Sequence, residues 1–178
     1  DFVIKGLCQD SRQLHAGDLF FAYPGLGSDG RDFIQEAISK GAAAILFEAD
    51  AADNAINRMT THIPLLPIPH LAAQLGPIAA RFYDYPSRYM PVIGITGTNG
   101  KTSCTHFLAD CLQQLQKSCG VMGTLGNVFY GDLKPSQLTT PDAIELQQLL
   151  ADFRDKQAQA VVMEVSSHRL AQQQLNGT

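Results

Sequence analysis

The sequence predicts an α/β protein built on parallel sheets, and three observations carry that expectation. Short aliphatic and β-branched runs alternate with longer amphipathic stretches along the 178 residues. This is the pattern of strand–helix–strand units, whose parallel strands are covered by helices on both faces. One such run, Val92-Ile93-Gly94-Ile95-Thr96, empties into a glycine-rich loop and then a helix, an order that serves phosphate binding in sheets of this kind. With 45% hydrophobic and 17% charged residues, the chain can also bury a real core.

In chain order, β-like runs are expected at Phe2–Lys5 and Leu19–Tyr23. A helix over Arg31–Lys40 places Phe33, Ile34, Ala37 and Ile38 on one face, with Gly41 just past its end. Ala42–Glu48 and Leu65–Ile68 read as buried strands. His70–Tyr83 reads as a helix with Pro77 inside it. Asp84-Tyr85-Pro86-Ser87-Arg88 has linker character, so two domains are expected, 1–87 and 88–178. In the second, Val92–Thr96 is a buried strand. The next helix carries an apolar stripe of Cys104, Phe107, Leu108, Cys111, Leu112 and Leu115. Val121–Thr124 is a short strand. Thr140 is the expected N-cap and Pro141 the first residue of a further helix. Ala160–Val165 is a buried strand, and a helical segment begins at Ser166.

The loop Gly97-Thr98-Asn99-Gly100-Lys101-Thr102-Ser103 is the strongest chemical signal. Glycines let backbone N–H groups turn inward, and the helix start adds partial positive charge, which together cradle phosphate oxygens. Lys101 is expected to reach the β- and γ-phosphates and Thr102 to hold Mg²⁺. The general phosphate-loop pattern wants a glycine where Ile95 stands, so the loop is a compact form. Glu164 ends an apolar strand, and ligands in parallel sheets gather at the carboxyl ends of strands. It is a candidate second ligand for the Mg²⁺, with a solvated strand-end carboxylate as the alternative.

Other signals are weaker. Ser166-Ser167-His168 lacks the Gly-x-Ser-x-Gly elbow of a nucleophile. Its hydroxyls read as substrate-facing groups with a helix cap, or as a cap alone. Thr139-Thr140-Pro141-Asp142 offers hydroxyls and open amides at a helix start, a seat for a carboxylate or phosphate, or only a cap. The net charge of −4 argues against nucleic-acid binding. No apolar run approaches a membrane span, and no signal peptide is evident. Cys8, Cys104, Cys111 and Cys119 show no zinc spacing and suit a reducing cytoplasm, with Cys104 and Cys111 acting as small buried hydrophobes.

On the residues quoted, with Ala16-Gly17-Asp18-Leu19-Phe20, Asp10-Ser11-Arg12, Asp29-Gly30-Arg31 and Met163-Glu164-Val165-Ser166-Ser167-His168 added, the chain resembles the Mur ligase family. The resemblance covers nearly the whole chain. It is nearest to the family's UDP-N-acetylmuramoyl-tripeptide synthetases. The D-Ala-D-Ala-adding branch lacks the Glu-Val-Ser-Ser-His segment, and folylpolyglutamate synthetases lack the Asp-Ser-Arg domain.

That resemblance implies a small N-terminal α/β UDP-sugar-binding domain over 1–87 and the first part of a parallel-sheet phosphate-loop ATPase domain over 88–178. It implies ATP as substrate and Mg²⁺ as cofactor, with Lys101 and Glu164 catalytic and the loop 97–103 on ATP. Gln9 and Ser11 would contact the UDP-sugar, and Thr139, Thr140, Ser166 and Gln172 the sugar-peptide. Gln174 stands where the family commonly has an arginine, and Leu26-Gly27-Ser28 where it has His-Gln-Ala. The implied reaction joins a diamino acid, meso-diaminopimelate rather than lysine, to UDP-N-acetylmuramoyl-L-alanyl-D-glutamate through an acyl phosphate. A cytoplasmic monomer is expected. Family enzymes are longer, with a carbamylated lysine and an amino-acid-binding domain further on. The chain is therefore expected to be a fragment, missing an upstream segment, and inactive alone. A nucleotide- or UDP-sugar-binding fragment without ligase activity is the alternative. A GTPase is disfavoured by the absence of Asn-Lys-x-Asp.

Overall fold

Parallel strands need covering helices because both sheet faces must leave water, and the chain answers that need twice. A computed structural model describes residues 3–25, 27–49, 56, 59, 61–130, 141–171 and 175–178. The chain divides into two compact units, Asp1–Gln74 and Leu75–Thr178.

The first unit is a four-stranded sheet in the order β1 (Gly6–Cys8), β2 (Asp18–Ala22), β3 (Ala44–Glu48), β4 (Leu65–Ile68), every pair parallel. Helix α1 (Ile34–Ser39) follows a 3₁₀ turn at Gly30–Phe33 and buries Ile34 and Ala37 against Phe20, Ala22, Ile45 and Phe47. The fold class thus matches expectation, and Gly41, with φ of +84°, stands just past α1 as its glycine should. The first strand does not match. It lies at Gly6–Cys8, not Phe2–Lys5, because Gly6 pairs with Asp18, whose carboxylate would meet any side chain there. Phe2 lies outside the described residues. The strand at Leu65–Ile68 is as expected in position but not in burial. It is the sheet's edge, with Leu66 half exposed and Pro67 tolerated for that reason. Helix α2 (Leu71–Phe82) contains Pro77, and its first amides are held by Glu48 at the end of β3. The carboxylate accepts from His70 N and Leu71 N, both at 2.7 Å.

The second unit orders its sheet β5 (Val92–Ile95), β8 (Ala160–Glu164), β6 (Cys119–Gly123), β7 (Gly126–Phe129). The first three are parallel; β7 folds back antiparallel on β6 through Thr124 and Leu125. This hairpin is absent from the sequence expectation. Helix α3 (Lys101–Gln114) covers one face and α4 (Ala143–Asp155) the other. Central β8 is buried throughout and alternates: Val161 and Met163 pack in the α4 layer, Val162 in the α3 layer. By the same period Glu164 belongs to the α3 side. Strand β5, expected to be buried, is half-buried at the edge of the described sheet.

Two helix expectations are corrected. The buried arc of α3 is Thr105, Leu108, Ala109 and Leu112, while Cys104, Phe107, Cys111 and Leu115 face solvent. Small Thr105 and Ala109 let the helix lie close on the sheet, so the stripe's phase is set by close approach, not bulk. Cys104 and Cys111 are therefore exposed thiols; Cys8 and Cys119 are buried, and burial pushes both of those thiols up. Helix α4 is capped by Asp142, not Thr140. Asp142 Oδ1 accepts from Ile144 N and Glu145 N, and Glu145 returns a carboxylate to Asp142 N. Pro141 thus precedes the cap, and Thr140 lies outside the described residues.

The segment Asp84–Arg88 is ordered by its neighbours. Asp84 and Tyr85 both have positive φ, and Arg88 lies over the Tyr85 ring at 4.1 Å. Arg154 of α4 donates to the Tyr83 carbonyl at 2.7 Å.

Candidate functional site

In the second unit, strand β5 ends at Ile95 and the chain turns through exposed Thr96–Gly100 into α3. Gly100 makes that turn as the helix N-cap, with φ of +78° that a side chain would strain. The loop's amides and the free first amides of a fourteen-residue helix share one end of the sheet. Lys101 does not extend from it. Its Nζ donates to the Gly97 carbonyl at 2.7 Å, folding the ammonium onto the loop.

At the second residue of the helix, the Thr102 hydroxyl donates to Glu164 Oε2 at 3.0 Å. The two residues expected to share a cation are thus in direct contact. Glu164 is buried, at 7% exposure, and accepts two further bonds. Thr124 N donates to Oε1 at 3.0 Å, and the Thr124 hydroxyl donates to Oε2 at 3.1 Å. Sequence reasoning missed Thr124, since a residue in a hairpin turn gives no motif. The only available signal was its place at the end of an apolar run beside the strand-end carboxylate.

Carboxylate and hydroxyl oxygens suit a hard cation such as Mg²⁺, which commonly takes one or two protein oxygens and completes its shell with phosphate and water. Among the described residues no group of three or more His, Cys, Asp or Glu could hold a metal unaided. The donor set at Thr102 and Glu164 therefore fits a cation brought with a phosphate ligand.

At the start of α5 (Ser167–Ala171), Ser166 Oγ accepts from Arg169 N at 3.3 Å, the capping contact. Arg169 donates from Nη1 to the Pro141 carbonyl, joining the α4 and α5 starts, and burial lowers its pKa. Thr139, Thr140, Gln172 and Gln174 lie outside the described residues.

The first unit holds a cleft of about 430 Å³ lined by Gln9, Ser11, Arg12, Tyr23, Ser28 and Phe33, among others. It opens past the carboxyl ends of β1 and β2, where ligands of parallel sheets sit. Both expected residues are here. Gln9 Oε1 accepts from the Tyr23 hydroxyl at 2.8 Å. Ser11 is nearly buried, and its hydroxyl donates to Glu36 of α1 at 3.1 Å. Lys40 ties the same corner, donating to the Ser11 carbonyl and pairing with Glu36, both at 2.7 Å. Hydrogen bonds from Lys40, then Ser11, hold the Glu36 carboxyl below its usual range. Arg12 and Asp10 form an exposed pair at the rim, and the Arg12 guanidinium likewise lowers Asp10.

Comparison with known proteins decides the family. A model described as the Mur ligase family catalytic domain matches residues 3–83, and the Mur ligase middle domain matches residues 95–178. The chain belongs to the Mur ligase family. Among its relatives, the UDP-N-acetylmuramoyl-L-alanyl-D-glutamate–2,6-diaminopimelate ligase of Coxiella burnetii is 52% identical over 177 residues, covering 99% of this chain and 36% of that protein. The ligase of the same name from Pseudomonas putida is 49% identical, over 97% of the chain and 34% of its own length. A solved ligase of that name superposes with a TM-score of 0.82 at 29% identity, over 98% of the chain and 34% of the solved one. The MurF ligase of Thermotoga maritima, solved with ADP, shares the fold at a TM-score of 0.61 and 23% identity, with coverages of 97% and 34%. This Mur ligase chain spans about a third of the length of the curated relatives it matches. Among its described residues no helix is long and apolar enough to cross a membrane.

Proposed function

We propose that the chain supplies the UDP-sugar-binding and ATP-binding parts of an amide ligase that joins 2,6-diaminopimelate to UDP-N-acetylmuramoyl-L-alanyl-D-glutamate. The contact of Thr102 with Glu164 beside a loop of backbone amides carries the reading. Its strongest support from outside is the shared name of the relatives covering nearly the whole chain. The proposed division is 1–87 for the UDP-sugar and 88–178 for ATP.

In this reading the free D-glutamate carboxylate attacks the γ-phosphorus of ATP, and the bond to ADP breaks. The diamino acid's amine then attacks the acyl carbon; a C–N bond forms, phosphate leaves, and the amine loses a proton. A carboxylate lacks a leaving group, and the phosphate supplies one. Mg²⁺, when bound, would neutralise charge on the transferring phosphoryl. Amides of Gly97–Ser103 orient the phosphates, and Lys101 exchanges the Gly97 carbonyl for a phosphate oxygen. Thr102 and Glu164 hold the cation. Gln9 and Ser11 line the UDP-sugar cleft; Thr139, Thr140, Ser166, Gln172 and Gln174 meet the sugar-peptide. A monomeric cytoplasmic enzyme goes with this reading, and four free cysteines support a reducing compartment.

Calorimetry with Mg²⁺–ADP and with the UDP-sugar tests it. Both ligands should bind. Lys101→Ala should weaken the nucleotide by roughly 10- to 100-fold and leave the UDP-sugar unchanged. Phosphorus NMR on the intact enzyme should show ADP formed only when the dipeptide substrate is present. Undiminished nucleotide affinity in the Lys101 variant would sink the proposal. Binding of both ligands with no turnover in the intact enzyme would leave a binding protein instead.

A further inference from the structure

We infer that Thr124 is a positioning residue that fixes the Glu164 carboxylate for a nucleotide-bound divalent cation. The inference rests on the nucleotide reading above and names a residue that reading does not need. Thr124 sits in the two-residue connection between β6 and β7, since Gly123 pairs with Gly126. Such connections favour Asn, Asp or Gly, and a β-branched residue has no turn-making advantage there. Its reason lies across the sheet. The Thr124 amide binds Oε1 at 3.0 Å and its hydroxyl binds Oε2 at 3.1 Å, so one residue grips both carboxylate oxygens. A carboxylate held at both oxygens cannot rotate about its last bond without breaking a bond to a charged acceptor, the stronger kind.

Two neighbours sharpen the assignment. Gly123 faces the same carboxylate, and a methyl group added there would collide with Glu164 Oε1 and its carbon atoms. The absence of a side chain at 123 is what lets Glu164 lie against the turn. Thr102 donates its hydroxyl to Oε2 as well, alongside Thr124. The Thr102 oxygen has lone pairs to offer a cation while its proton stays on Glu164, and Thr124 holds the same carboxylate from the turn side. Ligating carboxylates are commonly held in this way, and removing such a partner typically weakens metal binding about 10- to 100-fold.

Thr124→Val keeps the shape and the amide but removes the hydroxyl; Thr124→Ser keeps the hydroxyl. Mn²⁺ serves as the probe, its affinity read by electron paramagnetic resonance with saturating ADP on the intact protein. ADP affinity without metal and the melting temperature are measured beside it. Thr124→Val should weaken Mn²⁺ roughly tenfold, leave metal-free ADP binding unchanged, and be rescued by Thr124→Ser. Gly123→Ala should weaken Mn²⁺ by displacing the carboxylate. Parental Mn²⁺ affinity in Thr124→Val would overturn the inference. So would an equal loss in Thr124→Ser, or a matching fall in metal-free ADP binding. A parent protein that bound no Mn²⁺–ADP would overturn the nucleotide reading, and this inference with it.

Discussion

Asp29 shows what one side chain settles in the loop after β2. Its Oδ1 accepts from Arg31 N at 2.9 Å and Arg31 Nε at 3.0 Å, and its Oδ2 accepts from Nη2 at 2.7 Å. It caps a turn and forms a two-pronged ion pair. The Arg31 guanidinium holds this carboxyl below its usual range. A folded-state pKa below the unfolded one adds stability that is full above the ordinary carboxylate value and is lost as pH falls through the lowered one. Asp29→Asn should therefore cost about 1 kcal/mol at neutral pH, or roughly 2–4 °C in Tm. The gap from the parent should close as pH drops below about 4. Scanning calorimetry across that range checks both the size and the sign. At this scale the sequence was legible where a residue acts through its immediate chain neighbours. Thr102 and Glu164 could be paired because a loop and a strand end each announce a position. Thr124 and Glu36 could not, since each acts through a partner distant in sequence. Ser11 was named, but the donation of its hydroxyl to Glu36 was invisible.

Elements were legible where apolar period and terminal chemistry agree. Strands β3, β4 and β8 stand within a residue or two of expectation, and so does α2. Glu48 explains how α2 begins: it spans two amides at the helix start from the end of another strand. Glu48→Ala should cost about 1–2 kcal/mol by denaturant titration, with Glu48→Gln recovering part of it, since an amide oxygen satisfies one donor. The failures have physical causes. On α3 two apolar arcs overlap, and only tertiary packing chooses the one with Thr105 and Ala109. On α4 the box formed by Asp142 and Glu145 was written in the sequence, yet the threonine–proline pair beside it looked like the stronger start. Strand β7 escaped because Gly126 and Asn127 dilute a short Val128–Phe129 signal.

For the whole molecule, alternation of strand and helix was enough to predict parallel sheets, and both sheets are parallel apart from β7. The order of strands was not readable, because register and neighbour choice depend on pairing between distant segments. In the second unit one core layer lies between α4 and the sheet, where Leu150, Leu146 and Phe153 meet Met122 and Val161. Leu150 is fully buried, so Leu150→Ala should cost about 2–5 kcal/mol in equilibrium unfolding. A net charge of −4 gives the molecule no long-range pull on an anion. In the proposed nucleotide site, the ammonium of Lys101, resting on the Gly97 carbonyl, would make capture of a phosphate a swap of acceptors. Heat released in that swap is a difference between two bonds, and the abandoned oxygen must find water. Titration heats will consequently understate how firmly the lysine grips its ligand.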